Sequence, residues 1–150
     1  MKIEEAIQSK IDNPHLRAVV NVRYTSNWMS TIQNKFMSKF SLTMPQFNIL
    51  RILRGAKEAI TVNTVKQRMV EKSPNTTRLM DKLIDKGLIE RERCSDDRRV
   101  VYVKISEEGL KLLSTIDKAL QDSGKEILVM ENLTEEEACQ LSDLLDKLRG

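Results

Sequence analysis

The hydrophobic period of this 150-residue chain changes twice, at Gly87 and again at Ser106, and no other feature restricts its fold as strongly. Up to Gly87 the apolar residues recur at three-and-four spacing, as on a helix with one wet face. From there they alternate. Leu88-Ile89-Glu90-Arg91-Glu92-Arg93 and Val101-Tyr102-Val103-Lys104-Ile105 read as two strands, joined by the polar run Cys94-Ser95-Asp96-Asp97-Arg98-Arg99. After Ser106 the helical spacing returns. A charged-tip hairpin between helices implies a mainly α chain with a small β-hairpin wing. Six aromatic residues, five Gly and three Pro leave little room for a β-sandwich or a loop-dominated scaffold.

The helices carry their own punctuation. Residues 14–40 predict one long helix: Pro14 suits a first helical position, and Leu16, Val20, Tyr24, Trp28, Ile32, Phe36 and Phe40 recur every fourth residue. At about 100° per residue such a repeat drifts by about 40° at each step, so the stripe winds around the helix. With Val19, Val22, Met29 and Met37 added, it predicts contacts on several sides, a partner chain among them. Thr43-Met44-Pro45-Gln46 is a capping box opening a second helix, which Gly55 is placed to end. A third helix is expected after Thr61, running through Val65 and Met69. A fourth is expected from Ser73-Pro74 to Gly87, turning Leu79, Met80, Leu83 and Ile84 inward. Ser106 caps a fifth, holding Leu110, Leu113, Ile116 and Leu120 and loosened at Gly124. Thr134 with Glu137 opens the last, with Ala138, Leu141, Leu145 and Leu148 on one face.

Charge is distributed unevenly around a net +3. Residues 1–65 hold nine Lys/Arg against four Asp/Glu, residues 66–104 eleven against seven, and residues 105–150 five against eleven. The middle can therefore seek phosphates, while the last third avoids them. Reaction chemistry has little to build on. One histidine, no glycine-rich phosphate loop and no metal-ligand cluster argue against an enzyme, and neither a cofactor nor a metal is expected. Apolar runs of four residues or fewer are far too short for a membrane span of about 20 residues. The Met1-Lys2-Ile3-Glu4-Glu5 start has no apolar h-region, so a cytoplasmic protein is expected.

Two short helices joined by a tight turn and followed by a charged hairpin form a winged helix-turn-helix pattern. In such a pattern the second helix lies in the major groove of DNA. Asn75, Thr77, Arg78 and Lys82 sit opposite Leu79, Met80 and Leu83. Asn can pair with adenine and Arg with guanine, whereas Lys82 and Lys86 suit phosphates. Arg98 and Arg99 at the hairpin tip can reach phosphate or a narrow minor groove, with Asp97 as a brace.

The chain resembles the multiple-antibiotic-resistance-regulator (MarR) family of bacterial transcription factors. The resemblance rests on residues 42–50 (Leu42-Thr43-Met44-Pro45-Gln46-Phe47-Asn48-Ile49-Leu50) and on Ser73-Pro74-Asn75-Thr76-Thr77-Arg78-Leu79-Met80-Asp81-Lys82-Leu83. Gly87-Leu88-Ile89-Glu90-Arg91, the Asp97-Arg98-Arg99 wing and Ile105-Ser106-Glu107-Glu108-Gly109 complete it. It implies a homodimeric repressor of a pseudo-palindromic operator in double-stranded DNA. Residues 1–150 would form one unit, with dimerisation helices at about 1–40 and 106–150 and the winged helix-turn-helix at about 42–105. It further implies a recognition helix opening at Ser73 and Pro74 with Asn75, Thr77, Arg78 and Lys82 at reading positions, Arg99 held by Asp97 in the minor groove, and Arg98 on the backbone. Release by a small phenolic or anionic effector is also implied, for which His15, Arg17, Tyr24 and Trp28 are candidate lining residues. Two alternatives stay open: a winged helix that docks a protein, and a thiol-based redox sensor using Cys94.

Overall fold

A computed structural model describes residues 1–71, 75–93, 100–128 and 132–150; the side chains of 93 and 123–128 lie outside that description. The helices are α1 (Ile3–Ile7), α2 (Pro14–Ser38), α3 (Met44–Ala56), α4 (Val62–Arg68), α5 (Thr76–Asp85), α6 (Glu107–Leu128) and α7 (Glu135–Arg149). The strands are β1 (Ile60–Thr61), β2 (Ile89–Arg93) and β3 (Val101–Ile105). The sheet is antiparallel in the order β1-β3-β2. Ile60 faces Val103 in one ladder, and Arg91 faces Val103 in the other. The architecture is therefore mainly helical with a small three-stranded sheet, as the two changes of period predict.

Most helix starts follow from their caps. The Asn13 carboxamide accepts the N–H groups of His15 and Leu16 with Pro14 in the first turn, and Thr43 and Gln46 satisfy each other's backbone as a capping box. Thr134 and Glu137 do the same for α7. Three expectations are corrected. Gly55 does not end α3, which runs to Ala56 and closes with Lys57 in the left-handed region at φ 60°. The N-cap of α5 is Asn75, two residues beyond Ser73, a residue type equally suited to that position. Gly124 does not interrupt α6, which continues to Leu128. Gly87 does stop α5, at φ 69°, with its N–H donated to the Ile84 carbonyl and that of Leu88 to Leu83.

The core gathers around α3. Ile49, Leu50 and Leu53 are buried with Val65, Met80, Leu83, Val103, Leu113 and Ile116. Phe36 and Met37, in the last turns of α2, join this cluster. The first half of α2 does not: Leu16, Val19, Val22, Tyr24 and Trp28 are all exposed. On α7 no residue is buried, and Leu141, Leu144 and Leu148 face solvent. No helix among the described residues is long and apolar enough to cross a membrane.

One joint sets α6 on the rest. The Ser106 N–H donates to the Leu88 carbonyl, the Ser106 hydroxyl to the Gly87 carbonyl, and the Gly109 N–H to the Ser106 hydroxyl oxygen. This brings α6 so close that a Cβ on Gly109 would stand 2.3 Å from the Leu88 oxygen, whereas one on Gly55 would meet nothing within 4 Å. Gly109→Ala should therefore destabilise by about 1–3 kcal/mol, the cost of overpacking. Gly55→Ala, inside a helix with free space, should stabilise by about 0.4–1 kcal/mol. Urea denaturation of the two variants checks both signs.

Candidate nucleic-acid interface

The exposed edge of α5 holds the side chains that the sequence singles out. Thr76, Met80 and Leu83 are buried and fix the rotation of the helix, so Asn75, Arg78 and Lys82 fall on the opposite side at spacings of three and four. Thr77 is half-buried. At about 100° per residue it lies around the helix from Arg78, on the other flank from Asn75. The structure thus brings Asn75, Arg78 and Lys82 onto one stripe and sets Thr77 apart from it. Ser73, Pro74, Asp97, Arg98, Arg99 and Cys94 lie outside the described residues.

Other groups hold that stripe in place. Leaving α4, Met69 adopts an extended backbone, and its N–H still reaches the Val65 carbonyl. The next donor, the Val70 N–H, has no helical acceptor, and the Asn48 side-chain oxygen on α3 takes it at 3.1 Å. Below the start of α5, the buried Thr76 hydroxyl lies 3.4 Å from the Met69 sulfur. Farther along, Asp81 pairs with Arg91 of β2 at 3.5 Å, tying the helix to the wing strand. Lys86 donates to the Ser41 carbonyl, so it braces the turn before α3 and does not extend the Arg78–Lys82 stripe.

The electrostatics favour an anionic partner at one end of this surface. Lys66 and Arg68, exposed in the last turn of α4, add two cations next to the turn. Sequence reading passed over both, since a seven-residue helix shows too little periodicity to assign its faces. On the wing, Lys104 is bound to Glu92 at 2.8 Å and Glu90 at 3.2 Å; these carboxylates hold its ammonium above the usual lysine range. That cation is neutralised locally. Among the described residues no group of three or more His, Cys, Asp and Glu side chains is placed to hold a metal.

His15, Arg17, Tyr24 and Trp28 lie on the surface of the first half of α2. His15 is exposed, Arg17 is paired with Glu4 of α1, and Tyr24 and Trp28 are 40% and 43% exposed. The Arg17 guanidinium lowers the Glu4 carboxyl below its ordinary range and is itself raised. Cys139 is exposed on α7.

Asn48→Ala should leave the Val70 N–H without its acceptor at a cost of about 1 kcal/mol. The expected readout is faster hydrogen exchange at the Val70 amide with the Met80 and Leu83 amides unchanged.

The MarR family profile, described as "MarR family", matches residues 42–101, which span α3 to the first residue of β3. A MarR transcription factor from Planctomyces limnophilus is similar over 93% of this chain and 98% of its own, at 29% identity and a TM-score of 0.70. A mutant MarR from E. coli, solved in complex with operator DNA, is similar over 93% and 99%, at 27% identity and a TM-score of 0.78. MepR from S. aureus, also solved with DNA, shares the fold over 93% and 97%, at 22% identity and a TM-score of 0.74. The helices and the three-stranded sheet follow the fold of these structures, and residues 42–101 of the chain match the MarR family model.

Proposed function

We propose that the chain is a homodimeric, sequence-specific DNA-binding repressor whose α5 reads the major groove of a pseudo-palindromic operator. The observation that carries this reading is the Asn75–Arg78–Lys82 stripe, polar and cationic and set opposite the buried Thr76, Met80 and Leu83, with the exposed Asp81 beside it paired to Arg91. Asn75 and Arg78 are base readers by their hydrogen-bonding geometry. Lys82, with Lys66 and Arg68 on α4, positions the protein through phosphates. Ser73 and Pro74 at the approach to α5, and Thr77 on its flank, complete the recognition element. Arg99 enters the minor groove braced by Asp97, and Arg98 binds backbone. The E. coli relative solved with operator DNA supports the DNA-binding part of this reading. A protein-docking face would be apolar, and this one is not.

Pairing of two copies is supported by area and by charge. The chain exposes 11096 Å2, whereas a compact monomer of 17.3 kDa exposes about 7,800 Å2. The excess, about 3,300 Å2 per chain, exceeds one partner's share of an obligate homodimer interface, about 1,000–2,500 Å2. The exposed apolar residues of α2 and α7 are the faces that a partner copy would cover. α2 carries Arg17, Arg23 and Lys35 and no acidic residue, while α7 carries five acidic residues against Lys147 and Arg149. Release by a small phenolic or anionic ligand follows from the family resemblance, with His15, Arg17, Tyr24 and Trp28 along the outer part of α2.

Genomic fragments captured by the protein supply the operator, and fluorescence anisotropy on them tests the reading. Arg78→Ala should cost about 1–3 kcal/mol and relax preference at one base position. Arg99→Ala should weaken binding with the fold intact, and affinity should fall steeply with salt through counterion release. No complex at low ionic strength would overturn the assignment. Sedimentation should give a dimer at micromolar concentration, and Leu144→Glu with Leu148→Glu should shift it towards monomer.

A further inference from the structure

A cavity of about 340 Å3 opens where the end of α3, the end of β3 and the start of α6 meet. Its apolar wall is Leu53, Ile105 and Leu110. The charged residues around it are Arg54, Lys57, Glu58 and Lys104. The volume falls at the lower end of the range for small-molecule pockets, about 300–1,000 Å3.

The charges around the cavity are not equivalent. Arg54 is engaged with Asp117 of α6 at 2.5 Å, and Lys104 lies between Glu90 and Glu92. Adding these partners to Glu58 leaves no surplus positive charge to attract a simple anion. Lys57 and Glu58 differ from the other two, because neither has an ion pair among the described residues. Lys57 is the C-cap of α3 in the left-handed region and Glu58 follows it directly, so both residues stand at the helix end. That end carries the partial negative charge of the helix dipole, which reinforces Glu58 as a cation acceptor. One positive and one negative residue, adjacent in sequence, therefore line an apolar recess.

We infer that this cavity binds a free α-amino acid with an apolar side chain, its carboxylate on Lys57, its ammonium on Glu58 and its side chain against Leu53, Ile105 and Leu110. A zwitterion matches both unpaired charges at once. An apolar acid would leave Glu58 facing its carboxylate, and an apolar amine would leave Lys57 facing its ammonium. The size limit favours leucine to phenylalanine, and glycine lacks the group that the recess holds. This site is separate from the α5 surface and does not depend on the DNA-binding reading.

Isothermal titration of the full-length protein with L-leucine and L-phenylalanine, without DNA, tests it. Saturable heat is expected for both and none for glycine. N-acetyl-leucine, which lacks the ammonium, and leucinamide, which lacks the carboxylate, should each bind at least about tenfold more weakly. Glu58→Gln should weaken leucine binding to the same degree. So should Lys57→Asn, chosen because Asn tolerates the left-handed backbone. Absence of heat with either amino acid up to about 10 mM, corresponding to binding weaker than about −3 kcal/mol, overturns the inference. Undiminished binding of either blocked ligand, or undiminished leucine binding by both variants, also overturns it. None of these results bears on whether α5 binds DNA.

Discussion

The packed elements of this molecule are referred to α3. Ile49, Leu50 and Leu53 are at most 1% exposed, and the helix touches α2 and α6 as well as α4, α5 and β3. A helix buried on several sides has few rotations available, because any roll moves close-packed side chains into their neighbours. α5, α2 and α6 therefore share one reference frame. Asn48, on the same helix, extends that frame to the turn by accepting the Val70 N–H. Arg54 extends it to α6 through Asp117.

The legible part of the fold was that written in periods and caps. The change of period at Gly87 located β2 and β3, and the capping boxes at Thr43 and Thr134 located α3 and α7. Two elements escaped. β1 is two residues long, too short for alternation to register, and its partner β3 is more than 40 residues away. α1 spans five residues, fewer than two turns, and is tied to α2 by the long-range Glu4–Arg17 pair. Gly55 misled for a different reason. Its composition suggests a stop, but the chain places the left-handed residue two positions later, at Lys57.

The candidate site residues were legible to the extent that the inward side of α5 was. Leu79, Met80 and Leu83 pointed inward in the sequence, which put Asn75, Arg78 and Lys82 outward; Thr77 lies nearer the boundary than its polarity suggested. The braces were not legible at all. Asn48 reads as an ordinary polar residue of an amphipathic helix, and only the tertiary fold brings it to Val70. The Asp81–Arg91 pair likewise joins residues ten apart through the turn at Gly87. The exposed stripe on the first half of α2 is the counterpart: its winding repeat is visible in the sequence, and within one chain only its last turns are covered.

Thr61 serves two elements at once. It is the last residue of β1, paired with Tyr102, and its hydroxyl accepts the Thr64 N–H as the N-cap of α4. No spacer separates sheet from helix at this point. An insertion or deletion here would either unpair the strand or uncap the helix, so this junction has no tolerance for length variation. The base of the wing and the entrance to the helix-turn-helix consequently move as one body: a tilt imposed on β3 is carried into α4 without a hinge to absorb it.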